Sequence, residues 1–225
     1  MRIAIVSDVH SNLQALLEVA ERIDGEAVDF TVCAGDIVGY GADPNRCCEI
    51  VSGMVRSSVV GNHDVAALSG DASGMNAYAT AAALWTARQI SGDSRKYLLS
   101  LKESARPDAE GLTIGLHHGS LHSIWEYLYE ADLSEDMLSE SGTEVLVFGH
   151  THVPYVKRYP GGLIMNPGAV GQPRDRDPRA SFAILETEPL TCKIIRVRYD
   201  VQGASDAILR AGLPEMLAER LHQGL

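Results

Sequence analysis

Hydrophobic positions along this chain follow two rhythms, and the switches between them outline the fold. Arg2 to Ser7 is a short β-rich apolar run. Beyond it, Leu13, Leu16, Leu17, Ala20 and Ile23 recur at helical spacing, behind Ser11 or Asn12 as the capping residue. Phe30 to Ala34 is a second strand-like run. Asp43-Pro44 then offers a cap followed by a proline in the first helical turn, predicting a helix over 44–54, and Val55 to Val60 is a third strand. Strand, helix, strand, helix, strand implies parallel pairing with crossover helices, the mark of an α/β fold.

The pattern changes in the middle. Met75 to Ile90 is alanine-rich and helical, and Ser94 to Leu101 predicts a further helix. Leu112 to Leu116 is a strand, a helix is expected near Ser134 to Glu140, and Glu144 to Phe148 is another strand. From Val153 the chain reads as strands joined by tight turns: 153–159, a Pro160-Gly161-Gly162 turn, 163–165, 180–186 and 193–199. Short connections of that kind imply antiparallel pairing, hence mixed sheets. A helical tail is expected from about residue 205, with Pro214 opening the last helix.

Composition narrows the picture. A chain of 225 residues, 45% of them hydrophobic, supports one domain over 1–225, and no linker or repeat divides it. The net charge of −11 disfavours a surface that holds duplex nucleic acid, which needs a basic footprint. No stretch approaches the roughly 18 apolar residues of a membrane span, and the amino terminus lacks the long apolar region of a secretory signal. Cys33, Cys47, Cys48 and Cys192 form no C-x-x-C pair and are expected to be reduced thiols in a cytoplasmic protein.

The candidate chemistry sits where the strands end. Asp8-Val9-His10, Gly35-Asp36, Gly61-Asn62-His63-Asp64, His117-His118-Gly119 and Gly149-His150-Thr151-His152 each follow a predicted strand. In a mostly parallel sheet the carboxyl ends lie along one edge, so motifs distant in sequence converge. Taken singly, Asp8 is an ordinary helix cap and Asn62 or Asp64 an ordinary turn former. Together, two aspartates, an asparagine and four histidines form a mixed nitrogen and oxygen set suited to first-row transition ions rather than to magnesium or calcium. Glycines 35, 61, 119 and 149 are expected to let the backbone bend beside these side chains.

In these motifs, in their order and spacing, the chain resembles the calcineurin-like metallophosphoesterase superfamily, in particular its small bacterial and archaeal phosphodiesterase-like members. The resemblance implies a four-layer α-β-β-α sandwich of two mixed sheets. It assigns Asp8, His10 and His152 to a first metal, Asp36 to a bridge, and Asn62, His118 and His150 to a second. His117 competes with His118 for that place, but His118 precedes the glycine of the motif; His117 is expected to face the core. His63 matches the histidine that contacts the phosphate and protonates the leaving oxygen. The cofactor implied is a pair of divalent ions, manganese first, with iron, zinc, nickel or cobalt as alternatives. The reaction implied is attack of a metal-bridging hydroxide on a phosphodiester or phosphomonoester of a small substrate, nucleotides included. A nuclease, or a non-catalytic scaffold on the same fold, is the alternative.

Substrate information is thinner. Asn166-Pro167-Gly168-Ala169-Val170-Gly171-Gln172-Pro173-Arg174 resembles a stretch of the smaller members, with Ala169 where serine is common. Arg174 or Arg176 is a candidate phosphate ligand, against a reading in which both pair with Asp175 and Asp177. Asn62 and His63 are the other candidate substrate contacts. Gly39-Tyr40-Gly41 replaces the second Asp and the Arg-Gly of Ser/Thr protein phosphatases, which leaves His63 without its usual partner and Asp64 as a substitute. Trp125, Tyr127 and Tyr129 either stack a base or pack as an aromatic insert. The terminal helix either covers the core or mediates a homo-oligomer. His122 and His222 match no motif.

Overall fold

Residues 1–225 are described by a computed structural model. The elements are β1 (Arg2–Val6), α1 (Leu13–Asp24), β2 (Phe30–Cys33), α2 (Pro44–Met54), β3 (Val55–Ser58), α3 (Asn62–Ser69), α4 (Ala77–Gln89), α5 (Gly92–Ser100), β4 (Ser104–Ala105), β5 (Asp108–Ala109), β6 (Leu112–His117), a 3-10 turn at Glu130–Asp132, α6 (Asp136–Ser141), β7 (Val145–Val147), β8 (Tyr155–Tyr159), β9 (Gly162–Asn166), β10 (Ala180–Thr187), β11 (Leu190–Val197), α7 (Val201–Arg210) and α8 (Glu215–Gln223). No helix is long and apolar enough to cross a membrane.

Two mixed sheets face each other. The first runs β11-β10-β1-β2-β3 and the second β4-β6-β7-β9-β8, with β5 also on β6. As the sequence rhythm predicts, β1, β2 and β3 are parallel, whereas β10 and β11 join the same sheet antiparallel. In the second sheet β6, β7 and β9 are parallel and β8 pairs antiparallel with β9.

The alternation along β1 builds two cores from one strand. Ile3 and Ile5 point between the sheets and meet Ile114, Leu116, Val145, Val147 and Leu163 of the second sheet. Ala4 and Val6 point the other way, under α1 and α2, where Leu16, Val19, Ile23, Cys47 and Val51 cover them. Each such fully buried Ile, Val or Leu contributes about 1.5–3 kcal/mol. The outer layer on the second sheet is thin: Leu138 of α6 and the loop residues Leu128 and Leu133 cover Phe148 and Ile164. Helices α7 and α8 pack on each other and, with α4, on Tyr40.

Several expectations shift locally. Asn12, not Ser11, caps α1 by accepting from Ala15 N. Asp43 stands at the N-cap of α2 but makes no capping bond, so the proline alone sets that helix start. The third strand ends at Ser58, and Val59 continues it with a main-chain bond to Cys33 O at 3.1 Å and a bridge to Lys102. Gly61-Asn62-His63-Asp64 opens α3, a helix that turn-forming residues conceal. The tail is two helices divided near Ala211–Leu213, starting at Val201 rather than 205.

Candidate metal centre

The strands of both sheets end at one edge, and there the five motifs meet. Asp8, His10 and His152 bring donor atoms within 4.8 Å of one another, and so do Asp36, His118 and His150. All six side chains are buried. Asn62 joins the second group, its Oδ1 3.0 Å from His118 Nε2. His117 does not: it is half-buried against Phe148 on the far side of β6, with Arg106 and Glu140 at the hollow it lines, so it neither enters the site nor reaches the core. His122 stands exposed beside Glu140 and His222 is exposed on α8.

Main-chain carbonyls fix the orientation of the imidazoles. His10 Nδ1 donates to Val38 O at 3.1 Å, His118 Nδ1 to Ala34 O at 2.8 Å and His152 Nδ1 to Gln172 O at 2.6 Å. Each ring therefore carries its proton on Nδ1 and turns Nε2 inward. His150 is reversed, because its Nε2 donates to Trp125 O at 3.3 Å.

The inward-facing atoms are mostly acceptors. Asp8 Oδ1 lies 3.3 Å from His152 Nε2 and 3.8 Å from His10 Nε2, and Asp36 Oδ2 lies 3.6 Å from His10 Nε2 and 3.2 Å from His118 Nε2. His10 and His152 face each other Nε2 to Nε2 at 3.1 Å. Asp8 Oδ1 and Asp36 Oδ2 are buried without hydrogen-bond donors. Lone pairs aimed at lone pairs repel unless a cation stands between them. Ligands about 2.1 Å from one ion lie roughly 3.0–3.5 Å apart, and these spacings fall around that range. The residues present fit two divalent ions, and one oxygen, Asp36 Oδ2, faces donors of both groups.

The charges give the same picture. Burial is the largest influence on the Asp8 carboxyl and raises it, but the surrounding imidazoles, His152 first and then His118 and His10, together outweigh that and hold it below the usual carboxylate range. Asp36 is likewise held low against burial, by His118 first. Burial depresses His118, yet Asp36 lifts it to about 9, so the metal-free chain keeps one proton where a cation would serve. Burial pushes His150 down to about 3, and also lowers His10 and His152.

Local backbone strain marks the site. Asp8, His10, Asp36, His150 and His152 all take positive φ, between 49° and 65°, where non-glycine residues are uncommon. Each such residue costs about 1–2 kcal/mol, a sum that the surrounding sheets must offset. The sequence expectation assigned the bending to glycines 35, 61, 119 and 149, and of these only Gly35 takes a left-handed φ, of 90°. Gly61 instead has an extended φ of −102°, and its smallness matters because a Cβ there would meet Asp36 Oδ1 at 2.1 Å and Asp36 N at 2.4 Å.

His63 lies beside both groups. Its main-chain N donates to Asp36 Oδ1 at 2.8 Å, and its ring Nδ1 is buried without a partner. Burial, then the Arg174 charge among its neighbours, brings His63 to about 4. Asp64 does not serve it as a partner. The Asp64 carboxylate accepts from Val38 N and Gly61 N, both at 3.0 Å, and braces the two loops; burial and the Asp36 charge raise it to about 7.

The residue that sequence reasoning missed is Tyr40. Its ring centroid is 4.7 Å from that of His10 and 4.3 Å from that of His63. Its place in the loop after Asp36 was the available signal. Arg174 donates to Tyr40 Oη at 3.3 Å, while Asp175 pairs with Arg196 and Asp177 with Arg179, so the acidic neighbours of Arg174 are already taken. Tyr40, Asn62, His63, Trp125, Tyr127 and His150 line an open cavity of about 530 Å³. Tyr127 stacks on His150 at 3.9 Å, and Tyr129 lies 6.2 Å from Tyr127, outside the lining.

Residues 1–189 match the sequence profile of the calcineurin-like phosphoesterase superfamily domain. The chain is 36% identical to the uncharacterized protein MJ0912 of Methanocaldococcus jannaschii, over 99% of this chain and 98% of that protein. Its fold is similar to the crystal structure of a metallophosphoesterase from Sphaerobacter thermophilus, with a TM-score of 0.87, 39% identity and coverage of 100% of this chain and 99% of that one. The hypothetical protein PH1004 of Pyrococcus horikoshii shares the fold at a TM-score of 0.87 with 21% identity, over 100% of this chain and 98% of that one.

Proposed function

Because the chain belongs to the calcineurin-like phosphoesterase superfamily, and so is a metal-dependent phosphoric ester hydrolase, we propose that residues 1–225 form one cytoplasmic catalytic domain that holds two divalent ions and hydrolyses a small phosphate ester. The observation that carries this reading is the pair of donor groups sharing the edge of Asp36. In it, Asp8, His10 and His152 would hold one ion, Asn62, His118 and His150 would hold the other, and Asp36 would serve both. The mixed donor set favours a first-row transition ion, manganese first, with iron, zinc, nickel and cobalt as the other choices. When bound, the ions supply Lewis acidity and an activated water.

The chain's own groups do the rest. Asn62 fixes one oxygen of the phosphate through its side-chain amide. His63 stands at the cavity edge as a neutral imidazole, so its N–H donates to a second phosphate oxygen. The anionic phosphate then favours a proton on that ring, which His63 passes to the leaving oxygen as the P–O bond breaks. Water adds its hydroxyl to phosphorus and its proton replaces the one that His63 gave up. Arg174, held against Tyr40, offers a guanidinium to the substrate from beside the cavity. Trp125 and Tyr127, both exposed, supply planar faces suited to an aromatic or heterocyclic group such as a nucleobase.

The test is turnover of a phosphomonoester and a phosphodiester by metal-stripped protein before and after manganese is restored. Activity that appears only with metal, together with a His63→Ala variant that binds the same metal but loses turnover of poor leaving groups by about 10²–10⁴, supports the reading. No turnover of either ester with metal bound would defeat it.

A further inference from the structure

The C-terminal helices lie beyond residue 189, where the family profile ends, yet α8 sends a charged side chain to the catalytic edge. Arg220 places its guanidinium carbon 6.0 Å from the centroid of the Tyr40 ring, and Arg174 places its own 5.6 Å from the same ring. Tyr40 is also the ring 4.3 Å from His63. The two arginines therefore stand one aromatic ring away from the histidine at the cavity edge.

Neither arginine has a carboxylate side chain for a partner, although the charge pairs around them are satisfied within themselves. Arg174 gives its Nη2 to Tyr40 Oη and Gln172 Oε1, and its Nε is buried with nothing to donate to. Arg220 gives its Nε to the oxygen of Leu225, the last residue of the sequence, which answers part of its charge and leaves its terminal nitrogens for other partners. Burial and the neighbouring Arg174 charge both lower the affinity of Arg220 for its proton. Two guanidinium charges share one aromatic ring in a half-buried place and feel each other, an arrangement that an anion bound between them would stabilise.

The scaffold holds them there. Arg176 N donates to Gly224 O at 2.9 Å, tying the Arg174 loop to the end of α8. Leu217 and Leu221 of α8 are buried in the cluster that contains Tyr40, so the helix, the loop and the ring are packed as one unit.

We propose that Arg174 and Arg220 form a clamp for a second phosphate at the mouth of the site, so that the preferred substrates carry a further phosphate beyond the one that is cleaved. This rests on the reading that the cavity beside His63 receives the scissile phosphoester. The clamp explains why a helical pair outside the family profile is packed on Tyr40, and it narrows the substrate class to small molecules with more than one phosphate group. Guanidinium forks suit such a group because each offers paired donors to phosphate oxygens.

The test is calorimetric titration of inorganic pyrophosphate into the full-length, metal-stripped protein at low ionic strength, where the metal ligands carry no cation that would capture the anion. Arg220→Gln and Arg174→Gln are each expected to weaken binding about tenfold, the worth of one charge-assisted hydrogen-bonding group. Arg220→Lys should recover part of the loss. Arg88→Ala, which removes an exposed charge elsewhere, should change affinity less than twofold. Circular dichroism and melting of each variant establish that its fold is kept. Equal affinity in wild type and Arg220→Gln, equal weakening by Arg88→Ala, or no pyrophosphate binding by the wild type would each overturn the clamp. Because the titration reads no hydrolysis, an inactive enzyme leaves this result standing, and failure of the clamp leaves the hydrolytic reading intact.

Discussion

Replacing Gly61 by alanine should disable this protein through a single methyl group. The backbone of Gly61 is extended, with φ −102° and ψ 172°, so alanine meets no conformational penalty there. What it meets is Asp36: an added Cβ falls 2.1 Å from Oδ1, 2.6 Å from Cγ and 2.4 Å from the main-chain N. Carbon contacts settle at about 3.5–4.0 Å, so the loop after β2 must retreat by roughly 1 Å. Side-chain rotation cannot relieve it, because one of the struck atoms is backbone, and that backbone is tied to the loop after β1 by His10 N donating to Asp36 O at 3.0 Å. Overpacking of this kind costs about 1–3 kcal/mol, a fall in melting temperature of roughly 2–12 °C. A displacement near 1 Å at the bridging carboxylate should lower turnover about 10²-fold. The assay compares melting, bound metal and turnover of Gly61→Ala with those of Gly53→Ala. Gly53 lies inside α2 with nothing within 4 Å of its Cβ position, and alanine there should stabilise by about 0.5–1 kcal/mol. A Gly61→Ala protein with wild-type melting and turnover would refute the argument from close approach.

Asp64→Asn should destabilise by about 1–3 kcal/mol in denaturant unfolding, since one of its two main-chain N–H donors would then face an amide NH₂; unchanged stability would remove Asp64 as the brace between the two loops. Adding manganese at 100 times its dissociation constant should raise stability by about 2.7 kcal/mol, and Asp36→Ala should abolish the shift; an equal shift in that variant would place the ions elsewhere. Burial pushes the thiols of Cys33, Cys48 and Cys192 up to about 12 and raises that of Cys47 well above its usual value. The unfolded chain ionises its thiols near 9, so below that pH neither state is charged, and stability falls as pH rises from about 9 to 12. Unfolding midpoints followed from pH 8 to 11 should decline over that window, and the four thiols should resist modification at pH 7; a flat profile would contradict the burial argument.

Asp8, Asp36, His118, His150 and His152 were legible because each follows a strand whose apolar rhythm is plain, and parallel strands must bring their carboxyl ends to one edge. Asn62 and His63 were legible as chemistry but not as helix, because Gly-Asn-His-Asp reads as a turn and only tertiary packing makes it the start of α3. The left-handed backbone of Asp8, His10, Asp36, His150 and His152 left no trace in residue type: the ligands bend, Gly35 bends with them as expected, and Gly61 makes room. Pairing of Asp175 with Arg196 and of Asp177 with Arg179 depends on β11 and on the loop's own turn, so the sequence neighbours of Arg174 misled. The role of Tyr40, and Arg220 beside it, depends on how α7 and α8 fold back, which no periodicity reveals.

Whether two ions share Asp36 is best decided by anomalous diffraction from crystals of the manganese-loaded protein. The account predicts two peaks per chain about 3.5–4 Å apart, one against Asp8, His10 and His152 and the other against Asn62, His118 and His150, with the Asp36 carboxylate between them. A single peak, or ions away from Asp36, would contradict it.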